Sequence, residues 1–357
     1  MSTALSMAGT GTAFSNPFSN DNAADELIGH GEFKYKVDKA WAKISVNSNP
    51  LFNCHEMIQD SKGRLIMLGD HTQNNILIFD KSGKLLDNWG TAWPGGHGLS
   101  ISKEGGEDFL LIVDCGWYQN KSGVWNAQAG QVIKTDLNGR IIFSIGHPNT
   151  IGVYKDDEKF MPTETAIGPN GDIYVADGYG SDYIIQYNSK GQYIRHFGGR
   201  KNANPDWNLR CAHGVAIDYR NKSNPTLICT SREENCFKVF TLDGKFLHRI
   251  DMPGMHVCRP VLDGENLYAG VCWSNDEAGK MIGGNSGFVT ILDASNKVIS
   301  NPGGNAPVYK NNILQATLQA PGQMFQHCHD VCIDEDKNIY VCQWNANNTA
   351  PVKLTRV

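Results

Sequence analysis

The chain of 357 residues contains no run of roughly 18 apolar residues, the length that marks a membrane-crossing helix, and no long stretch with apolar residues at helical spacing. The first absence argues against a membrane-spanning helix. The second argues against a helical bundle and against a (β/α) barrel, whose helices would write a period of about 3.6 residues into the sequence. Charge is also scarce: Asp, Glu, Lys and Arg make up 19%, the net charge is −5, and the basic residues are scattered. Without a basic face, nucleic acid is not an expected partner. The first basic residue is Lys34, too late for the charged start of a secretory or transit segment, which points to a cytoplasmic protein. Ten cysteines show no paired spacing of a disulfide framework. Cys229, Cys332 and Cys342 lie inside apolar runs and read as reduced core thiols, and Cys328-x-x-x-Cys332 lacks the second half of a thiolate zinc site.

What the chain does have is glycine, 38 of 357, and short alternating apolar stretches between tight turns. The turn signals repeat. Asp60-Ser-Lys-Gly-Arg-Leu-Ile-Met, Gly168-Pro-Asn-Gly-Asp-Ile-Tyr-Val and Asp334-Glu-Asp-Lys-Asn-Ile-Tyr-Val form one set. A second follows about twenty residues later in most units, at Asp80, Asp136, Asn188 and Thr241. Four strands per unit result, with units beginning near His55, His97, Thr163, His213, Cys258 and His329. The fold predicted is all-β, a six-bladed β-propeller over residues 33–357, preceded by a mobile tail over 1–32 that is rich in Ser, Asn, Ala and Gly. The last unit stops after about three strands, so the strand that completes it is expected near Phe33 to Trp41, which closes the ring without leaving sheet edges exposed. The longer connections, 115–130, 146–161, 198–211, 272–287 and 300–326, all fall on the face where first strands begin, so that face is the expected rim of a pocket.

His97, His213 and His329 stand 116 residues apart, at the same point of alternate units. In a six-bladed ring that spacing sets three imidazoles at about 120° around the axis, with a fourth position open to water or substrate. These three are the candidate ligands of zinc or another divalent transition metal. His55 occupies the same slot in another unit, and a fourth ligand, a proton-transfer residue and a channel lining all stay open for it. A second set follows the second strand of each unit: Asp70-His71, Asp114 with Trp117, Asp177-Gly-Tyr179, Ser231-Arg232 and Gln343-Trp344. Tyr179 and Arg232 occupy equivalent places in neighbouring units, where a guanidinium would lower the phenol's pKa and suit it as a base. Asp114 and Asp177 read equally as turn residues bonding backbone.

The phrases Pro162-Thr-Glu-Thr-Ala-Ile, Ile173-Tyr-Val-Ala-Asp-Gly-Tyr179, His97-Gly-Leu-Ser-Ile, His329-Asp-Val and Gln192-Tyr-Ile-Arg-His-Phe-Gly-Gly199 resemble NHL-repeat propellers of the peptidyl-α-hydroxyglycine α-amidating lyase type, over most of residues 45–357. The resemblance implies zinc on His97, His213 and His329, a catalytic phenol on Tyr179 with Arg232 as its partner, and a structural calcium on Asp330 with backbone carbonyls near Met57 and Leu99. The chain departs from the pattern at Leu68, where the family's substrate-binding Arg precedes Gly-Asp-His, at His327, where the family has Met, and at His55, which has no counterpart there. Nor do a monooxygenase half and a secretion signal accompany it, as peptide-hormone amidation would require. The function expected is a metal-dependent lyase on a small hydroxyl-bearing substrate other than the family's own, with His55, His71 and His327 as further proton-transfer candidates. A metal-dependent hydrolase or isomerase on the same site and a non-catalytic binding scaffold remain the alternatives, and the oligomeric state is left open.

Overall fold

The turns at Asp60, Asp80, Asp136 and Asn188 close hairpins because the first side chain accepts backbone N–H groups two and four residues on, and a glycine between them adopts a positive φ. In the first, Asp60 Oδ1 accepts from Lys62 N at 3.0 Å and Arg64 N at 2.8 Å, with Gly63 at φ 77°. The computed structural model describes residues 27–357 except 46, 121, 277 and 318–323. Among the described residues its hairpins assemble into six antiparallel blade sheets, with two further two-stranded hairpins, Trp117–Gln119 with Trp125–Ala127 and Tyr309–Lys310 with Ile313–Leu314, beside them. Blade 1 is Cys54–Gln59, Leu65–Gly69, Ile76–Phe79 and Leu85–Trp89; blade 2 is Gly96–Glu104, Glu107–Asp114, Gln131–Asp136 and Ile141–Ile145. Blade 3 is Glu164–Ile167, Ile173–Ala176, Tyr183–Tyr187 and Tyr193–Gly198; blade 4 is Val215–Asp218, Thr226–Ser231, Cys236–Thr241 and Phe246–Asp251. Blade 5 is Met255–Asp263, Asn266–Ser274, Phe288–Leu292 and Val298–Ser300. Blade 6 takes Cys328–Ile333, Ile339–Gln343 and Val352–Arg356 from the C-terminus and Phe33–Asp38 from the N-terminal side.

The closing strand is where the short last unit predicted it: Tyr35 pairs with Arg356 and Val37 with Leu354. One strand more is added outside it, since Leu27–His30 pairs antiparallel with Phe33–Asp38. The rest of the expected mobile tail, residues 1–26, lies outside the described residues.

Middle strands such as Leu65–Gly69 and Ile76–Phe79 are buried throughout, whereas the outer strand Leu85–Trp89 is mostly exposed. A blade's middle strands are covered on both faces by neighbouring blades, which is why they read as unbroken apolar runs rather than alternating ones. The core accordingly consists of inter-blade seams: Ile66, Leu68 and Ile78 of blade 1 pack on Leu99, Leu110 and Ile112 of blade 2, and Tyr35, Val341 and Leu354 of blade 6 on Val289 and Ile291 of blade 5. The first strands line the axis, and the long connections form a rim on the face where those strands begin.

Candidate metal centre

The first strands of blades 1, 2 and 6 carry a register shift where they meet the axis. The pairing slips between Cys54 and Glu56, between Gly96 and Gly98, and between Cys328 and Asp330, leaving His55, His97 and His329 as the unpaired residues. In a regular strand successive side chains face opposite ways; a bulge re-aims one of them. Here it turns an imidazole toward the axis while the next residue, Glu56 or Asp330, also reaches axial groups. His213 precedes the first strand of blade 4 in the same position.

The result is a cluster of four buried imidazoles, each no more than 6% exposed. The ring centroids of His97, His213 and His329 form a triangle with sides of 4.8, 4.9 and 4.6 Å, so the three residues picked out by the 116-residue interval do meet. His55 lies 5.2 Å from His97 and 5.0 Å from His329. Ligand atoms of His55, His97 and His329 all fall within 4.8 Å of one another. Sequence spacing alone had left the role of His55 open; the structure places its ring inside the cluster.

Tautomers follow from the backbone. His97 Nδ1 is 2.8 Å from the Thr163 carbonyl and His329 Nδ1 is 3.0 Å from the His55 carbonyl. A carbonyl only accepts, so both Nδ1 atoms carry the hydrogen and both Nε2 atoms present lone pairs. Those two Nε2 atoms are 3.1 Å apart. Protonation is a poor way to relieve the repulsion, because burial holds His97, His213 and His329 well below the usual imidazole range, with neighbouring imidazoles and Arg232 pushing the same way. A cation between the lone pairs relieves it, and nitrogen donors with backbone carbonyls behind them are the ligand set of a borderline transition metal. The cluster can hold a metal ion.

Tyr179, on the turn after the second strand of blade 3, brings its hydroxyl to 3.1 Å from His97 Nε2, 3.2 Å from His213 Nε2 and 3.4 Å from Arg232 Nη2. Arg232, 6% exposed, also lies over the Tyr179 and Trp273 rings at 5.6 and 5.1 Å. The expected pairing of phenol and guanidinium is present, but its expected consequence is not. Burial drives the Tyr179 pKa upward, and Arg232 opposes that without overcoming it, because the rings packed around the phenol leave a phenolate poorly solvated.

Other assignments divide. Asp70 accepts from Asn53 N at 2.9 Å and Nδ2 at 2.6 Å, and its Oδ2 lies 3.3 Å from His55 Nε2, so the His55 Nδ1 lone pair is left without a partner among the described residues. His71 is not brought to the centre: its ring stacks on Phe52 at 4.5 Å and its Nδ1 accepts from Gln73 N. His327 stands behind the pocket wall, its ring 5.4 Å from Trp344 and 5.8 Å from Trp273, with Nδ1 donating to the Trp344 carbonyl at 2.9 Å. Asp114 and Asp177 bond turn backbone: Asp114 accepts from Gly116 N, and Asp177 from Met161 N and Ser181 N. Leu68 is buried in the seam between blades 1 and 2 and offers nothing to a ligand.

The calcium assignment is overturned. Asp330, the Met57 carbonyl and the Leu99 carbonyl do converge, but the Arg259 guanidinium fills the space among them. Its Nε and Nη2 donate to the two Asp330 oxygens at 2.9 and 2.8 Å, Nη1 to Leu99 O at 3.0 Å and Nη2 to Met57 O at 3.1 Å. A divalent ion there would face a fixed positive charge, and its oxygens already have donors. Two more carboxyls adjoin: Glu56 Oε2 is 3.6 Å and Glu164 Oε2 3.7 Å from the guanidinium. Burial raises both, Glu164 to about 7. Sequence reasoning missed Arg259, Glu56 and Glu164, although each directly follows one of the residues that open a unit, which was the available signal.

Above the imidazoles lies a cavity of about 450 Å³ lined by His55, Asp70, His97, Tyr179, Arg232 and four indoles, Trp117, Trp125, Trp273 and Trp344. Trp117, Tyr179, Arg232 and Trp344 belong to the set picked out after the second strands; Trp125 and Trp273 were not picked out from the sequence.

The chain matches no family profile. A probable peptidyl-α-hydroxyglycine α-amidating lyase of Caenorhabditis elegans is 25% identical over 225 residues, 60% of this chain and 54% of that protein, so the match spans about half the relative's length. The resemblance read from the motifs is thus met by a curated relative. Among solved structures, a gluconolactonase from Xanthomonas campestris superposes with a TM-score of 0.53 at 10% identity, covering 85% of this chain and 86% of that one. A streptogramin B lyase does so at 0.51 and 13%, covering 86% and 94%. At such identities these two share the fold.

Proposed function

We propose that this propeller is a zinc-dependent lyase, similar to the amidating lyases in its metal centre and different from them in its substrate, which bears a hydroxyl next to the bond that breaks. The observation that carries the reading is the pair of Nε2 lone pairs 3.1 Å apart, each fixed by a carbonyl behind it. His97, His213 and His329 would hold the metal. Bound there, it supplies Lewis acidity toward a substrate hydroxyl. Tyr179 Oη, a neutral phenol beside Arg232, would relay the hydroxyl proton, accepting it as it passes its own proton on, with the guanidinium polarising the phenol. His55, oriented by Asp70, would take up the relayed proton at its Nδ1, which has no partner among the described residues, and return it to the departing group, which keeps the electron pair of the broken bond. Leu68 leaves no anchor of the family's kind for the carboxylate of an α-hydroxyglycine peptide, so turnover of such a peptide is expected to be weak. The ten cysteines, all buried and unbonded to one another, support a reducing, cytoplasmic setting, and among the described residues no helix is long and apolar enough to cross a membrane.

The test is metal analysis by mass spectrometry of the purified protein and its histidine variants. One zinc per chain is expected, falling by orders of magnitude in His97→Ala or His329→Ala while the melting transition persists. Stoichiometric metal in the triple variant lacking His97, His213 and His329, or metal-free wild-type protein after purification without chelators, overturns the reading.

A further inference from the structure

The four indoles of the cavity take no part in holding a metal, and the protein spends its rim on them. Trp117 and Trp125 sit on the two strands of a hairpin, Trp117–Gln119 and Trp125–Ala127, inserted between the second and third strands of blade 2. They are 40% and 45% exposed, unusual for indoles unless something covers them. Trp273 ends the second strand of blade 5, and Trp344 follows the second strand of blade 6. Trp125 and Trp273 lie 6.4 and 6.1 Å from Trp344, centroid to centroid, so three indoles from three blades make one wall. His327 braces it from behind, its ring beside Trp273 and Trp344 and its N–H tied to the Trp344 carbonyl. A braced wall is pre-organised, and stacking on it costs little ordering.

Charge narrows the occupant. An aromatic cage also suits an alkylammonium, but Arg232 lies on the same cavity, over the Trp273 face at 5.1 Å, and no carboxylate among the described residues pairs with it. Asp70, the one acid lining the cavity, is already bonded to Asn53 and faces His55. The cation disfavours a positively charged ligand and occupies one aromatic face itself. A volume of about 450 Å³ fits a compact molecule rather than a folded partner.

We propose that the substrate carries an aromatic ring beside its hydroxyl, the ring stacking on the Trp125–Trp344–Trp273 wall while the hydroxyl reaches the imidazole cluster. This rests on the metal-centre reading for the position of the hydroxyl and on the indoles for the ring.

Isothermal titration with mandelate and lactate, which share hydroxyl and carboxylate and differ in phenyl against methyl, tests it. Mandelate is expected to bind about tenfold more tightly or better, from ring stacking. Trp125→Ala and Trp344→Ala should each weaken mandelate several-fold and leave lactate unchanged. Equal affinities, no binding of either acid, equal binding of the cyclohexyl analogue of mandelate, or tighter binding of choline or glucose overturns the proposal. Repeating the titrations in chelator separates the two readings. If the metal reading fails, chelation changes neither affinity and the phenyl preference persists; if the aromatic reading fails, the preference is absent and chelation weakens both acids alike.

Discussion

Tyr179 joins two imidazoles and a guanidinium through one hydroxyl, and that makes it the residue whose loss should be most informative. Tyr179→Phe removes the oxygen and keeps the ring that packs on Arg232, so turnover of an accepted substrate should fall about a hundredfold, the scale of a positioned acid or base, with metal content unchanged. Full activity in this variant would hand the proton transfer to His55. Glu164 bears on stability instead. Its carboxyl is pushed from 4.5 to about 7 by burial, so the fold favours the protonated form. That contribution is complete below the unfolded value near 4.5 and is lost as pH rises through about 7. Glu164→Gln keeps the shape without the ionisation, and its melting temperature should vary less than wild type between pH 5 and pH 8 and exceed it at pH 8. An unchanged slope would mean that another group sets the profile. Arg259 stands where resemblance had implied calcium, and a calcium chelator is therefore expected to leave the melting temperature where it was, whereas Arg259→Met, which strands Asp330 in the interior, should cost about 3–5 kcal/mol by denaturant unfolding.

At the scale of the element, bulges and tight turns decide what the strands present. The bulges at His55, His97 and His329 bring both a ring nitrogen and the following carboxylate or glycine to the axis, and a strand-alternation reading of the sequence assigns only one of each pair inward. This is why the imidazoles were legible and the Arg259 network beneath them was not. Turn glycines differ sharply from one another. A Cβ on Gly83, at φ 83°, would meet the Trp41 carbonyl oxygen at 1.8 Å, while one on Gly105, at φ 58°, meets nothing within 4 Å. Both substitutions strain the backbone by about 1 kcal/mol, and only the first also forces two backbones apart. Gly83→Ala should therefore lower unfolding free energy by roughly 2 kcal/mol or more beyond Gly105→Ala, measured in urea; equal costs would show that the turn at Gly83 relaxes freely.

On the scale of the whole molecule, stability rests on closing the ring. The strand Phe33–Asp38 joins the two ends of the chain through Tyr35 and Val37, and Tyr35 is fully buried with its hydroxyl accepting from Arg356 Nη1 at 3.0 Å. Opening that seam exposes the edge of Val352–Arg356 and the apolar faces of blades 5 and 6 together. Tyr35→Ala is expected to cost about 3–5 kcal/mol, as other large aromatic deletions do, and removal of residues 27–38 should leave a chain that is cleaved rapidly by protease at temperatures where the intact protein resists. Resistance equal to wild type would mean that three strands suffice for the last blade.

Blade number, the shared strand and the meeting of His97, His213 and His329 were all determined by the sequence alone, because turn chemistry is local and a repeat of fixed length in a closed ring converts intervals along the chain into angles around an axis. The tertiary structure decided what depends on distance across that axis. It brought His55 into the imidazole cluster, filled the oxygen cage with Arg259, moved His71 and His327 away from the centre, and let burial outweigh Arg232 at the Tyr179 phenol. None of these is written in a spacing. Each is set by how far side chains from different blades reach across the axis, where one guanidinium or one bulge changes which atoms meet.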